Sequence, residues 1–361
     1  MKFIMLYKKI KGRGAQINPA NRFEQLHVDY DETELSELTD AELKEEKAET
    51  VFLKDYSKTI ISINNSYDIG FEYSINPYRG CEHGCVYCYA RPSHEYLGFS
   101  SGIDFETKIM VKEDAPKLLE ETFKKKSYKP DLIVLSGNTD CYQPVERKLK
   151  LTRGILEVCL KHRNPVAIIT KNALIRRDID LLKELAAHNL TSVTISITSL
   201  NKDLIRKMEP RTSTPELRLK TIEELANNNI PVGVNVAPII PGLTDEEIPA
   251  ILNEAASRGA QHAGHIILRL PYANKDLFID WLKREFPDRA GKVLNRIKEL
   301  RGGKLNNSEW GKRFTGEGEI ADAINNLFKL SCKKYGLNKK SFNFSNSLFR
   351  REISDQFEIF T

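Results

Sequence analysis

Long apolar runs are missing from this sequence, and so is the pattern of a secretory leader. None of the 361 residues belongs to a stretch of about 18 consecutive apolar residues, the length that a membrane-spanning helix needs. The first nine residues hold too short an apolar core for a signal peptide. We therefore expect a cytoplasmic protein.

Cysteine is scarce, and the charge is close to balanced. Six cysteines do not suggest the disulfide framework of a secreted domain, so we expect reduced thiols or metal ligands. The net charge of +5 is too mild to predict nucleic-acid binding. From Trp281 onward the sequence contains 17 Lys and Arg residues and 10 Asp and Glu residues. This bias is compatible with a polyanionic partner but more typical of a solvated surface.

Three of the six cysteines lie within eight residues. Cys81, Cys85 and Cys88 follow the short run Phe71–Ile75 and the chain breakers of Asn76–Gly80. Thiolates this close can hold one metal centre, and three protein ligands leave a coordination position open, which usually marks a reactive site.

From about residue 70, apolar β-branched runs alternate with amphipathic helical runs. The predicted strands are Phe71–Ile75, Asp131–Ser136, Val166–Thr170, Ser192–Thr198, Val232–Ala237 and His265–Leu270. The helices predicted between them are Pro116–Lys125, Glu146–His162, Asp178–His188, Glu216–Asn227 and Asp245–Ser257. Strands that return through helices form a parallel sheet with right-handed crossovers. The sequence therefore predicts an α/β fold, a partial TIM-like barrel of six β/α units.

Polar or breaker-rich segments follow all six predicted strands. They include the cysteines after strand one, Gly137–Cys141 after strand two, Lys171 after strand three, Glu209–Arg211 beyond strand four and Pro238–Gly242 after strand five. In a parallel barrel the active site lies at the carboxyl ends of the strands. We therefore expect these segments to lie together at one end of the barrel, its mouth.

The barrel is predicted to carry an extension at each end. We place an N-terminal extension at 1–65, the barrel at 66–275, and a helical extension with a tail at 276–361. Further helices are predicted at Lys275–Phe286, Asp288–Leu300 and Glu319–Tyr335. We call the first 50 residues the arm. For the arm we favour a solvated helix or tether, with a capping box at Thr39–Glu42 that begins the helix. The alternative is that the arm folds across the mouth of the barrel. The tail, from Lys339 to Thr361, is either disordered or packed locally.

These motifs resemble a known family. Cys-x3-Cys-x2-Cys with an aromatic residue before the last cysteine, on the loop after the first strand, resembles the radical S-adenosylmethionine (SAM) enzymes. Asn76–Cys81, Gly137–Asp140 and Glu209–Arg211 resemble the spore photoproduct lyase-like branch. Lys11–Ala15 with Asn18-Pro19 resembles its uncharacterised PA0069-type subgroup.

The resemblance implies a cofactor pair and a reaction. Cys81, Cys85 and Cys88 would hold three irons of a 4Fe–4S cluster, and the fourth iron would bind SAM. Reduction, by a donor such as flavodoxin or ferredoxin, would split SAM into methionine and a 5′-deoxyadenosyl radical that abstracts hydrogen. The cofactor carries the difficult chemistry, and the protein positions it.

The resemblance also implies SAM-binding residues near the cluster. Tyr87 occupies the position of an aromatic residue that lies near the adenine of SAM in this family. A tyrosine that packs on the cluster loop could also have this role. Gly137, Asn138, Thr139 and Asp140 occupy the segment that meets the methionine amino group and ribose. Lys171 resembles a lysine that meets the SAM carboxylate; alternatively, it is a surface lysine.

Three further positions are assigned in the same way. Ser196 resembles a ribose contact. Arg211 either reaches the carboxylate or the substrate, or pairs with Glu209. Pro238 begins the segment on the adenine side, which also fits a rigid turn.

One departure concerns the hydrogen donor of the lyase, a cysteine expected near Asn138. Cys141, three residues later, is either a substitute donor or a buried packing thiol. Cys159 is predicted to lie in the core, and Cys332 is given no role. His83 and His94 are expected to be exposed loop residues.

The substrate is left open between damaged nucleic acid, a protein or peptide, and a small molecule. The lack of a further cysteine cluster after Cys88 argues against an enzyme with an auxiliary iron–sulfur cluster. A non-enzymatic Cys3His zinc module, with His83 or His94 as the fourth ligand, is the alternative outside radical chemistry.

Overall fold

Six parallel strands form the centre of the fold in this computed structural model, which describes residues 10–24 and 48–351. The strands are β1 (Val51–Lys54), β2 (Ile61–Ile63), β3 (Tyr73–Ile75), β4 (Tyr78–Arg79), β5 (Lys108–Val111), β6 (Ile133–Leu135), β7 (Val166–Thr170), β8 (Thr191–Ser196), β9 (Val232–Ile239) and β10 (His262–Ile267). The main sheet has the order β10-β9-β8-β7-β6-β3-β2, and only the pair β2/β3 is antiparallel.

The prediction of six β/α units is confirmed by this strand order, because each predicted strand pairs in parallel with the next one along the chain. Most of their apolar residues are buried, and in β6 all three side chains are buried. The largest shift of bounds is at β10, which begins and ends three residues earlier than predicted.

Helices cover the sheet between consecutive strands. They are α1 (Asp104–Thr107), α2 (Ala115–Lys124), α3 (Glu146–Leu149), α4 (Leu151–His162), α5 (Ile179–Ala187), α6 (Lys202–Met208), α7 (Pro215–Asn227), α8 (Ile248–Ser257), α9 (Asn274–Glu285), α10 (Pro287–Glu299) and α11 (Glu319–Tyr335). The 3-10 helices are Arg91–Leu97, Ala173–Asp178 and Asp245–Glu247. The helix predicted at Glu146–His162 is two helices, because Lys150 between them has a φ of +54°. No helix in the described ranges is long and apolar enough to cross a membrane.

A second, three-stranded sheet of order β1-β5-β4 was not predicted. Its strands have two to four residues, and β1 is mostly exposed, so no alternation of apolar residues marks it. The predicted domain boundaries stay predictions, although β2, inside the predicted N-terminal extension, pairs with β3 of the barrel.

Both described chain ends pack on the body of the protein. The preference for a solvated tether is wrong for residues 10–24, because Arg13, Ala15 and Asn21 are buried; the helix expected around Thr39–Glu42 lies outside the described residues. The tail packs locally as far as the structure describes it, with the ring of Phe349 against three other rings.

Candidate active site

The cysteine loop, residues 81–88, leaves the carboxyl end of β3 through β4 and is held by neighbouring backbone. The Cys81 amide donates a hydrogen bond to the carbonyl oxygen of Phe105 in α1 at 2.8 Å. The Val86 amide donates to the carbonyl oxygen of Met208 at the end of α6 at 3.1 Å. Two helices from different parts of the chain therefore fix the loop.

The three thiols of this loop form no disulfide, and Cys85 and Cys88 lie near enough to Cys81 to affect it electrostatically. Cys81 and Cys85 are buried, and Cys88 is half-buried. Burial raises the pKa of each thiol, and the Asp140 carboxylate and the other two cysteines raise the pKa of Cys81 further. Such thiols become good ligands only when a bound metal takes the place of their protons.

The donor set fits an iron–sulfur cluster. Within the described ranges, no three His, Cys, Asp or Glu side chains come close enough to hold a single metal ion. In a 4Fe–4S cluster each thiolate binds its own iron, so the three thiolates need to surround one cluster and need not converge on one ion.

The loop after β6 lies beside the cysteine loop. The side-chain oxygen of Asn76, just after β3, accepts hydrogen bonds from the amides of Asn138 at 2.8 Å and Thr139 at 3.2 Å. The carbonyl oxygen of Gly137 accepts a hydrogen bond of 2.7 Å from the hydroxyl of Tyr89, the residue after Cys88. The predicted SAM segment is thus brought to the predicted cluster site.

Asp140 joins the carboxyl ends of β6 and β7. One carboxylate oxygen accepts a hydrogen bond from the Thr170 hydroxyl at 2.8 Å, and the other accepts one from the Lys171 amide at 2.8 Å. The second oxygen also lies 3.4 Å from Nδ1 of His83. Burial would raise the pKa of Asp140, but His83 and the amide hydrogen bonds hold it below its ordinary value. A contact between Asp140 and SAM stays a prediction.

Tyr87 is fixed by a buried network around Glu209. The Tyr87 and Thr198 hydroxyls both donate to the Glu209 carboxylate, the latter at 2.6 Å, and Arg218 forms an ion pair with it. Burial would raise the pKa of Glu209, but Arg218, Lys171 and the two hydroxyls lower it to about 2. The carboxylate is therefore ionised and holds the aromatic residue next to Cys88 in one orientation.

Lys171 extends from the end of β7 toward the same region. Its Nζ donates to the carbonyl oxygen of Ala237 in β9 at 3.1 Å and lies 5.9 Å from the centre of the Tyr87 ring. Its charge opposes the effect of burial on the Cys85 and Cys88 thiols. Lys171 is therefore a cation within electrostatic reach of the cysteine loop.

Ser196 and Pro238 lie on the neighbouring strands. Ser196 is the buried last residue of β8, and its carbonyl oxygen accepts a hydrogen bond of 3.0 Å from Arg218. Pro238 follows a cis peptide bond and lies inside β9, because that strand runs two residues further than predicted. Both residues lie near the carboxyl ends of their strands, and their SAM contacts stay predictions.

Arg211 does not pair with Glu209, which was one of the expected alternatives. Its guanidinium lies 3.1 Å from the carboxylate of Glu82, next to Cys81. Glu209 faces inward, where Arg218 meets it. Arg211 therefore holds the cysteine loop through its ion pair with Glu82.

The expectation that His83 and His94 are exposed is wrong. Both are buried, because the cysteine loop and the 3-10 helix after it fold into the interior. His83 is held between Asp140 and Asn172, whose amide nitrogen lies 3.1 Å from Nε2. His94 packs on two phenylalanine rings, and burial lowers its pKa to about 4.

Cys141 is fully buried in the main core and follows the predicted SAM segment. Its amide donates to the Ser136 hydroxyl at 2.8 Å, and its carbonyl oxygen accepts from the Thr152 hydroxyl at 2.6 Å. Burial raises the pKa of its thiol. Its role as hydrogen donor stays a prediction. Cys159 lies in the core as predicted.

Two residues that hold the site in place were not identified from the sequence. Gln143, fully buried, accepts a hydrogen bond from the Glu82 amide at 2.9 Å and donates one to the carbonyl oxygen of Gly80 at 3.2 Å. No sequence signal marks it. Arg218 had a signal, because it stands four and seven residues before the apolar Ile222 and Leu225 and so belongs to the buried face of α7.

A pocket of about 580 Å³ lies at the opposite end of the sheet. It is lined by residues just before β3 and β6, among them Glu72 and Asp131, and by Phe344 of the tail. It includes none of the predicted site residues, so it is separate from the candidate active site.

Comparison with known proteins agrees with this geometry. The family model described as the radical SAM superfamily matches residues 75–255. Uncharacterized proteins of Mycobacterium bovis and Mycobacterium tuberculosis are 35% identical over 240 residues, which is 66% of this chain and 69% of theirs. An uncharacterized protein of Methanocaldococcus jannaschii is 33% identical over 185 residues, 51% of this chain and 67% of its own. The chain belongs to the radical SAM superfamily.

Solved structures share the fold. A mutant of spore photoproduct lyase has a TM-score of 0.59 at 17% sequence identity, covering 81% of this chain and 82% of that one. Spore photoproduct lyase complexed with dinucleoside spore photoproduct has a TM-score of 0.58 with the same identity and coverage. This level of identity supports the fold and not the reaction of those proteins.

Family membership identifies the class of chemistry. The protein is an enzyme that uses SAM and an iron–sulfur cluster for radical chemistry, and it needs a reductant and a substrate. A non-enzymatic zinc module does not agree with this assignment. The subgroup suggested by the arm sequence stays a prediction.

Proposed function

We propose that Cys81, Cys85 and Cys88 hold three irons of a 4Fe–4S cluster and that SAM binds beside it, at the carboxyl ends of β6 to β9. The observation that carries this proposal is the meeting of three free thiols on one loop with the cation of Lys171. When bound, the cluster supplies the electron that splits SAM into methionine and a 5′-deoxyadenosyl radical, which abstracts hydrogen from the substrate.

The residues of this chain orient SAM and exclude water. Lys171 offers a point charge to the SAM carboxylate, and the segment 137–140 borders the methionine end and the ribose. Tyr87, oriented by Glu209, presents its ring toward the adenine side together with Pro238. Ser196 is a further ribose contact, and Arg211 acts through Glu82 on the cysteine loop.

Damaged nucleic acid is the first substrate class to test, because spore photoproduct lyase, with which this chain shares its fold, is known in complex with a dinucleoside spore photoproduct. The excess of Lys and Arg after Trp281 is compatible with the same class. A protein or a small molecule is the alternative. The donor, flavodoxin or ferredoxin, and the cytoplasmic location stay predictions.

The test is anaerobic reconstitution followed by reduction in the presence of SAM. We expect a brown protein with about four irons and four sulfides per chain and formation of 5′-deoxyadenosine. Cys85→Ala should lose both. Cys159→Ala, which removes a buried cysteine of the core, is the matched control and should retain both. A colourless protein, or an intact cluster that never yields 5′-deoxyadenosine, would refute the proposal.

The substrate class is tested with damaged DNA at two salt concentrations. We expect binding that weakens as salt rises, since phosphate contacts release counterions, and more 5′-deoxyadenosine when damaged DNA is present. If binding is absent at both salt concentrations and turnover is unchanged, nucleic acid is excluded and a protein or small molecule is favoured.

A further inference from the structure

Residues 13–16 of the arm are buried against the cysteine loop. Arg13, Ala15 and Gln16 are at most 7% exposed. A Cβ on Gly14 would lie 1.8 Å from the carbonyl oxygen of Gly84, between Cys81 and Cys85. The two backbones therefore touch at a distance that only glycine at position 14 permits.

The contact is equally tight from the side of the loop. Gly84 has a φ of +67°, and a Cβ there would lie 2.6 Å from the carboxylate of Glu106. That carboxylate is fully buried and accepts hydrogen bonds from the amides of Gly14 at 3.0 Å and Ala15 at 2.8 Å. Residues 14 and 15, Gly84 and the Glu106 carboxylate are thus in close mutual contact.

Glu106 links the arm to a proposed iron ligand. It forms a fully buried ion pair with Arg91, whose Nε donates to the carbonyl oxygen of Cys85 at 3.0 Å. The preceding residue, Phe105, accepts the hydrogen bond from the Cys81 amide. Two of the three cysteines are therefore positioned by the segment on which the arm lies.

Arg13 anchors the arm there. Its guanidinium donates to the backbone carbonyl of Glu106 at 2.8 Å, to that of Ala48 at 2.7 Å and to the Thr50 hydroxyl at 2.8 Å. Gln16 closes the segment by donating to the carbonyl oxygen of Arg13 at 2.9 Å. The three hydrogen bonds from Arg13 have a charged and buried donor, and such hydrogen bonds are among the stronger ones.

We propose that residues 13–16 are a positioning clamp that holds the cysteine loop closed on the cluster. The clamp rests on the proposed function, because it acts through Gly84 and Cys85 of the proposed cluster loop. Without the clamp, Glu106 loses two of its N–H partners and the backbone of Gly84 faces solvent. Groups that hold ligands in place change metal affinity by about 10- to 100-fold.

The test compares Gly14→Ala and Arg13→Ala with wild type after anaerobic reconstitution. We expect both variants to lose their iron and sulfide in air about tenfold faster, and the electron paramagnetic resonance signal of the reduced cluster to broaden or shift. Gly70→Ala is the matched control, because a Cβ on Gly70 meets nothing within 4 Å. It should behave as wild type.

The outcomes separate the two proposals. If wild type assembles no cluster, the proposed function fails. If wild type assembles a cluster and both variants lose it at the wild-type rate with an unchanged resonance signal, the clamp is refuted. Arg13→Ala creates no steric clash, so it decides the matter if Gly14→Ala does not fold. A lower melting temperature of the apoprotein without faster cluster loss also refutes the clamp.

Discussion

A single buried carboxylate, Glu209, holds side chains from three parts of the chain. Tyr87 from the cysteine loop, Thr198 after β8 and Arg218 from α7 all donate to it. Removing one member of a buried charged pair is costly, because the other charge stays in the interior without its partner. The stability of this site should therefore depend on the charge of Glu209.

We expect Glu209→Gln to lower the free energy of unfolding of the apoprotein by about 3 kcal/mol at pH 7. The pKa of Glu209 is lowered from 4.5 to about 2 in the folded protein. The ionised Glu209 carboxylate therefore contributes its full stabilisation to the folded protein above pH 4.5. This contribution is lost as the pH falls toward 2. The difference between variant and wild type should shrink over this range, as measured by urea unfolding.

The control for this prediction is Glu223→Gln, an exposed glutamate on the same helix as Arg218. It should change the unfolding free energy by less than about 0.5 kcal/mol. A Glu209→Gln effect that is constant between pH 5 and pH 2 would show that the charge of Glu209 is not its cause.

Cys141 offers a second prediction for a single residue. Because its thiol is fully buried and burial raises its pKa, we expect it to resist iodoacetamide in the native apoprotein, since only an accessible thiolate reacts. Half-buried Cys88 should react sooner. Mass spectrometry of the alkylated peptides gives the two rates. Equal rates would show that Cys141 is accessible, which favours it as a hydrogen donor.

At the scale of residues, the sequence predicted which segments meet and not which side chains pair. Lys171, Tyr87 and the segment 137–140 lie together, because strand ends of a parallel sheet share one edge. Arg211 pairs with Glu82, and Glu209 pairs with Arg218. Both pairings depend on which way Glu209 and Arg211 turn in the loop after α6. No periodicity in a loop records that direction.

At the scale of elements, the short helix α6 is hydrogen-bonded to the cysteine loop. Its N-cap, Asn201, accepts hydrogen bonds from the amides of Asp203 and Leu204, both at 3.0 Å. Its last residue, Met208, accepts the hydrogen bond from the Val86 amide. The cap therefore stabilises an element that fixes the loop.

We expect Asn201→Ala to lower the free energy of unfolding by about 1 kcal/mol, because two helix amides lose their acceptor. Denaturant unfolding measures the change. Asn201→Asp keeps a side-chain oxygen at the same place and should be within about 0.5 kcal/mol of wild type. Equal losses in the two variants would mean that the side chain acts through something other than capping.

The long elements were predictable and the short ones were not. The six barrel strands have apolar runs between helices of regular amphipathic pattern, which is the strongest signal a sequence carries. The strands β1, β4 and β5 are short and pair across a long sequence separation, so only the folded chain defines them. No element was predicted for the seven residues of α6, because so short a helix has little periodicity to detect.

At the scale of the whole molecule, both described ends of the chain return to the barrel. Residues 13–16 lie on the cysteine loop, and Phe349 and Arg351 lie on α2 and α4. The Phe349 ring packs against Phe123, Tyr128 and His162. Arg351 donates to the carbonyl oxygen of Phe123 at 3.0 Å. The sequence left the tail undecided, because its aromatic residues follow neither helix nor strand spacing.

We expect Phe349→Ala to lower the free energy of unfolding by about 2 kcal/mol. This is less than a fully buried phenylalanine contributes, because Phe349 is half-buried. Urea unfolding followed by circular dichroism measures the change. Leu330→Ala, at an exposed position of α11, is the control and should have little effect. A Phe349→Ala protein as stable as this control would show that Phe349 packs on α2 and α4 without stabilising them.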